Sequence, residues 1–325
     1  LHSTSRRQRQ MCIRDRLKGI KKITNNITAV VTVGDDGGSS GRLRHEMGVL
    51  PPGDIRNCIA ALADDEDLVT KLFQYRFKTG EGLEGHSFGN LFLTALCSIT
   101  GNMVRAVQES AKVLNIRGRV LPSTLDDMKL SAEMEDGTIV EGESNIPETG
   151  KKIKRLFTTP ANCKPLPEVI QAIKEADLII LGPGSLYTSV IPNLLIKEIS
   201  EAISKSSAKK IYVCNIMTQP GETTGYSAAD HIQAILDHAG YPNMVQAMLV
   251  NNSLPDDLSP DYEKSDSFPV VVDVDTIKAK NINVVSTRLY EENDQKYVRH
   301  SPSRLARAIE YWYKKQLRAK DKAKK

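Results

Sequence analysis

The chain has 325 residues, 40% hydrophobic and 5% aromatic, enough for one large α/β domain with an aliphatic core or two modest domains. No apolar run approaches the roughly 20 residues of a membrane span. Five scattered cysteines (Cys12, Cys58, Cys97, Cys163, Cys214) form no CxxC and no metal-like spacing, which fits reduced thiols in a cytoplasmic protein. The net charge of +4 lies at the ends: residues 1–22 carry +7, residues 304–325 another +7, and the body −10, the wrong sign for a nucleic-acid channel.

The first sixteen residues, LHSTSRRQRQMCIRDR, have no apolar periodicity and no h-region of a signal peptide. They are expected to be a non-native or disordered leader without packed contacts. Leu17 to Ile20 reads as the end of an amphipathic helix. Ile27 to Val33 is rich in β-branched residues and predicts a buried strand. The loop that follows, DDGGSSGRLRHEMGVLPPGDIRN, is the stretch around which the rest is read. Asp35 and Asp36 stand where open α/β sheets hold ligands, and Gly37, Gly38, Ser39 and Ser40 give a flexible polar turn. Gly53-Asp54 opens a helix from Ile55 to Ala63, with Asp54 as N-cap and Asn57 in its first turns.

Helical spacing returns from Asp67 to Phe77 and again after GLEGHSFGN, where His86, Ser87 and Asn90 fall in a first turn suited to an anion. From Gly118 to Thr158 the pattern changes. Met128 to Met134 alternates, Glu135-Asp136-Gly137 turns, Thr138 to Glu143 returns, and Ile153 to Phe157 adds an edge strand. This antiparallel excursion could pair protomers or cap a site. A second α/β half starts with a helix over Leu166 to Glu175 and the strand Asp177 to Leu181. The turn Gly182-Pro183-Gly184-Ser185 then resembles an anion-binding βα turn, with neither GxGxxG nor a Walker loop present. The strand Ile211 to Asn215 ends in a polar side chain. A loop leads to a helix from Ser227, its N-cap, with Asp230 in the first turn. Further strands are expected at Gln246 to Val250, Pro269 to Val272 and near Val284-Val285, with an amphipathic helix from Pro302. If the main strands are parallel, the clusters after them converge on one edge.

Taken together, VTVGDDGGSSGRLR, LPPGDIRNCIAALAD, GLEGHSFGNLFLTAL, LIILGPGSLYTSVIPNLL and VCNIMTQPGET resemble the gluconeogenesis-factor (YvcK-like) family, related to the 2-phospho-L-lactate transferases (CofD-like). The resemblance implies an α/β, three-layer, Rossmann-like domain over 17–312. Its sheet is mostly parallel, with an inserted antiparallel hairpin region at about 118–158, followed by a basic tail at 313–325. That family opens with a strand and a GGGTG-type loop, and this first strand and Gly-rich loop are expected to be missing here.

The resemblance also implies a cytoplasmic regulatory protein that binds a nucleotide sugar, a UDP-sugar, and links gluconeogenic carbon metabolism to cell-wall synthesis and cell shape. The alternative is a transferase-like enzyme using a lactyl-diphospho-nucleoside donor with Mg²⁺. Asp35 and Asp36 would repel a diphosphate, so they are expected to hold ribose hydroxyls or Mg²⁺. With few basic side chains near the clefts, phosphate would meet backbone N–H groups at Gly182, Gly184 and Ser185. Asn90 and Asn215 would hydrogen-bond a base or sugar, Tyr262 would stack, and Arg299 would grip phosphate. No nucleic acid and no membrane span are expected, and a homo-oligomer is left open.

Overall fold

The computed structural model describes residues 16–63, 68–292 and 297–322. Residues 1–15 of the expected leader lie outside them. Arg16 is described and departs from that expectation: it is helical, and its guanidinium donates to the carbonyls of Ile180 (3.2 Å) and Gly182.

Two parallel sheets carry the domain. In the first, β1 (Thr28–Val31) pairs with β2 (Arg119–Pro122), Thr28 opposite Arg119 and Val31 opposite Pro122. Between them run α1 (Gly38–Met47), α2 (Gly53–Leu62), α3 (Leu68–Gln74), α4 (Phe88–Thr100) and α5 (Met103–Val113). The second sheet has the order β6 (Leu178–Leu181), β7 (Lys209–Val213), β8 (Ala247–Asn251) and β9 (Asn283–Thr287), all parallel. The helix α6 (Pro167–Glu175) leads into β6, and the crossovers that parallel neighbours require are supplied by α7 (Ile191–Leu194), α8 (Lys197–Lys205) and α9 (Ala228–Ala239), with α10 (Asp261–Lys264) and α11 (Val274–Ala279).

Alternation along β7 and β8 sorts side chains between two faces. Ile211, Val213, Ala247 and Leu249 pack with Leu305, Ile309 and Trp312 of the C-terminal helix α12 (Pro302–Lys322). Tyr212, Met248 and Val250 join Ile232 and Ile235 of α9 in the main core. This half is therefore layered helix, sheet, helix. The helix α12 continues through the basic stretch expected to be a tail, as far as Lys322.

The antiparallel region is real but smaller than its sequence outline. It has the order β4 (Ile139–Glu141), β3 (Lys129–Met134), β5 (Ile153–Thr159). Arg119–Pro122 belongs instead beside β1, because Val120 and Leu121 are both buried, as a strand covered on two faces requires. Pro269 to Val272 forms no strand: only Pro269 makes an isolated bridge, to Met217. A short antiparallel hairpin, β10 (Tyr290–Glu292) with β11 (Val298–His300), closes the chain before α12. Between β1 and β6 lies a cavity of about 640 Å³ with strand and helix residues as its walls. No helix among the described residues is long and apolar enough to cross a membrane, and Cys58, Cys97, Cys163 and Cys214 are free thiols.

Burial holds the imidazoles of His231, His238 and His300 below their ordinary value of 6.5, in His300 down to about 4. Between roughly pH 4 and 6.5 the unfolded chain therefore binds more protons than the folded one, so stability falls as pH drops through that window. Urea titrations should give a lower midpoint at about pH 5 than at about pH 7.5. His300→Gln should flatten this slope, and a variant with the parent's slope would remove His300 from the account.

Candidate functional site

The strand β1 ends at Val31, and its apolar run hands over to a loop whose two carboxylates do different local work. Asp35 Oδ1 accepts the Gly37 N–H at 2.9 Å, an Asx turn that starts α1. Asp36 Oδ1 accepts the Ser144 N–H at 2.9 Å, reaching across to the antiparallel region. Gly53 is needed beside Asp35: a methyl built on it would stand 2.5 Å from Asp35 Oδ2 and 2.4 Å from Ser40 Oγ. The helix α2 thus starts two residues earlier than expected, with Pro52 as N-cap and no side-chain cap. Asp54 is not the cap. It lies within the first turn, where a carboxylate still favours the helix dipole. Asn57 Oδ1 accepts from Arg56 Nη2 at 2.7 Å, so this pair sits on the same helix behind the loop.

Ser39, His86 and Asn90 do meet. The Ser39 hydroxyl lies 2.9 Å from His86 Nδ1, and it accepts from Asn90 Nδ2 at 3.1 Å and from the Ser87 N–H at 3.4 Å. A hydroxyl has two acceptor lone pairs and one proton. With both lone pairs taken, its proton goes to Nδ1, which fixes neutral His86 as the tautomer carrying its proton on Nε2. Burial, with the charge of Arg42 second, lowers the His86 pKa and agrees with that neutral form. The hydrogen-bonding capacity of the Ser39 hydroxyl is thus used within this cluster. Arg42 and Arg76 anchor their guanidiniums on the carbonyls of Glu84 (2.6 Å) and Gly85 (2.5 Å), beside His86. Sequence reading expected few basic groups here, because Arg42 and Arg76 lie far apart in the chain.

The third and fourth clusters also meet. Asn215 Nδ2 donates to the Gly184 carbonyl at 2.9 Å and to Gln219 Oε1 at 3.1 Å. Ser185 does not offer an empty anion seat. The carboxylate of Glu222, 4% exposed, accepts from the Ser185 hydroxyl, from the Tyr187 N–H at 3.3 Å and from the Thr188 hydroxyl at 3.4 Å. The segment it meets is a π-turn over Leu186–Val190, not the start of a long helix. Glu222 was missed because its loop reads only as a Gly/Pro turn, although an acid inside such a turn is the signal. Gly182 is occupied too, its carbonyl by Arg16.

The two polar groupings are joined through the antiparallel region. Ser144 bonds Asp36, and Gly221 lies against Pro147, where a methyl on Gly221 would stand 1.9 Å from the Pro147 carbonyl oxygen. Glu222 is next in the chain. A continuous run of contacts therefore leads from the loop after β1 to the loops after β6 and β7.

Tyr262 and Arg299 stand around β11, where Tyr262 clusters with Ile216 and Met217 just beyond Asn215. Tyr262 is buried on α10, and its hydroxyl accepts the Val298 N–H at 2.8 Å. Arg299 pairs with Glu291 across the hairpin at 3.1 Å. Among the described residues no group of three or more His, Cys, Asp or Glu side chains is placed to hold a metal ion. Asp35 and Asp36 alone fit only the sparse protein coordination typical of Mg²⁺ on a phosphate ligand.

Residues 13–290 match the protein family described as 2-phospho-L-lactate transferase CofD. The gluconeogenesis factor of Bacillus subtilis is 52% identical over 292 residues, covering 89% of this chain and 91% of its own length. That of Halalkalibacterium halodurans is 51% identical over 293 residues, covering 90% and 91%. A relative from Nostoc sp. is 56% identical over 298 residues, and the chain spans 65% of its length, just under two thirds. A crystal structure of a UPF0052 family member from Bacillus halodurans superposes with a TM-score of 0.88 at 51% identity, over 91% of this chain and 96% of that one.

Ser39→Ala should raise the His86 pKa, since the neutral form loses its donor, and should release the tautomer. Nitrogen-resolved NMR of the imidazole reads both. The unpaired Asn90 amide and Nδ1 should cost about 1–3 kcal/mol of stability.

Proposed function

The chain belongs to the CofD family, among its gluconeogenesis factors, and from that footing we propose that it is a cytoplasmic regulatory protein that binds a nucleotide sugar of the UDP-sugar type. It would couple carbon supply during gluconeogenic growth to cell-wall synthesis and cell shape. The regulatory half rests on the kinship. The binding half rests on one observation, the run of contacts that brings the polar loops after β1, β6 and β7 along one border.

The chemistry of those loops supports binding over covalent turnover. Ser39 has its lone pairs occupied. Burial pushes the Cys58 thiol up to about 12 and raises the Cys214 thiol as well, which removes thiolates as nucleophiles. His86 offers a neutral N–H donor beside two arginines, a setting for phosphate oxygens. Asp36 accepts the Ser144 N–H through one oxygen, and its second oxygen can meet a sugar hydroxyl.

Asp36→Asn is the informative variant, because an amide oxygen can still accept the Ser144 N–H. Calorimetry should show UDP-sugar binding weakened about tenfold to a hundredfold, equally with and without Mg²⁺, the loss of a charge-assisted bond of roughly 1.5–3 kcal/mol. Weakening confined to Mg²⁺-containing buffer, with turnover on a deazaflavin acceptor, would make the protein a transferase instead. Undiminished binding in both buffers would leave Asp36 a turn residue.

A further inference from the structure

The cavity between β1 and β6 separates two parallel sheets whose facing edges are open. On β1, the Ile27 and Val31 carbonyls accept the Arg119 and Ser123 N–H groups at 2.8 and 2.7 Å, so alternation turns Thr28 and Val30 toward the gap. On β6, the Asp177 carbonyl accepts the Lys209 N–H at 3.0 Å, which turns Leu178, Ile180 and Gly182 toward the gap from its other side. Among the described residues no strand pairs with either edge. The loops after β1 and β6 lie along one border, so the two edges run in the same direction.

The guanidinium of Arg16 donates to the carbonyls of Ile180 and Gly182, two residues apart on the gap-facing edge. Its N–H groups stand where those of a parallel neighbour would reach. The side chains of β6 extend into both hydrophobic clusters, yet all four are only half-buried, because the gap leaves them uncovered on one side. Native sheets guard an open edge with charge or proline, and neither Thr-Ala-Val-Val of β1 nor Leu-Ile-Ile-Leu of β6 carries one.

We infer that the gap is an acceptor slot for one added β-strand, an extended, uncharged, aliphatic peptide segment of a partner chain that lies parallel to both edges and joins the two sheets. A strand takes up about 160 Å³ per residue, from a rise of about 3.3 Å, a strand spacing of about 4.8 Å and about 10 Å between layers. The gap of about 640 Å³ therefore holds roughly four residues, the length of β1 and of β6. Ile309 and Tyr313 of α12 close one face, and Ile173 of α6 and Leu194 of α7 the other. An occupant is thus covered on both faces, which calls for a continuous aliphatic run. Main-chain bonds on two edges hold such a segment, and the walls select its side chains. The chain's own residues 1–15 suit the slot poorly, with four arginines and no apolar run longer than Met11-Cys12-Ile13.

The test uses the full chain with a capped peptide, Lys-Thr-Ile-Val-Val-Ile-Thr-Lys, as probe, beside a second peptide with proline in place of both valines. Proline has no N–H to give to either edge. The first peptide should bind saturably, raise the melting temperature by several degrees and slow amide exchange in segments 28–31 and 178–182. The proline peptide should do none of these. No binding, equal binding of both peptides, or protection of the outer edges β4 and β9 instead would overturn the slot. Protection of 28–31 and 178–182 in the chain alone would overturn the partner assignment. Independent of protein concentration, it would mean that residues 1–15 close the gap; rising with concentration, it would mean that a second copy does.

Discussion

The carboxylate of Asp36 is the contact on which the arrangement of the polar loops depends. Its bond to the Ser144 N–H fastens the loop after β1 to the end of the β3–β4 hairpin. The chain then turns through Pro147, which lies so close to Gly221 that no side chain is tolerated there. One hydrogen bond and one backbone contact thus set two halves of the domain against each other. Without them the β1–β2 pair and the β6–β9 sheet would share a core but not a polar border. Hydrogen bonds to charged groups contribute about 1.5–3 kcal/mol, more than most surface contacts and enough to order a turn.

Local features were legible in the sequence where the physics is local. Ser227 reads as an N-cap with Asp230 in the first turn, and the structure joins the two in a capping box. The strands Leu178–Leu181 and Lys209–Val213 follow from aliphatic runs bounded by glycine and polar residues. Pro269 to Val272 misled for the opposite reason: β-branched residues suit a strand, but nothing beside them completes a ladder. Arg119–Pro122 fell inside the stretch outlined as antiparallel, and no strand is expected there, because four residues carry no information about their partner.

The site was legible as a set of loops and not as a set of contacts. Ser39, His86 and Asn90 were each marked, yet their mutual bonds, and the tautomer those bonds dictate, arise between residues about fifty positions apart. Arg42 and Arg76 escaped because they lie far apart in the chain and only the fold brings both beside His86. Asp54 was read as a cap on composition alone, where Pro52 had already fixed the start of the helix. Tyr262 and Arg299 looked like ligand groups by residue type, and their partners at Val298 and Glu291 lie in a hairpin too short to be seen beforehand.

Glu222 decides how an anionic ligand could lie along this border. Magnitudes settle the contest at Ser185. The positive end of a helix contributes about 0.3–1 kcal/mol, up to about 2 when partly buried. Two like charges about 4 Å apart repel by roughly 4 kcal/mol at the effective dielectric near a protein surface. A phosphate therefore gains less from the turn after β6 than it loses to the carboxylate already bonded there. The same arithmetic runs the other way at His86, where Arg42 and Arg76 supply positive charge and the imidazole N–H adds a donor without adding an anion. The glycine turn that looks most like a phosphate cradle in the sequence is thus the one the protein fills with its own carboxylate, and the less suggestive loop around residue 86 is the electrostatically open one.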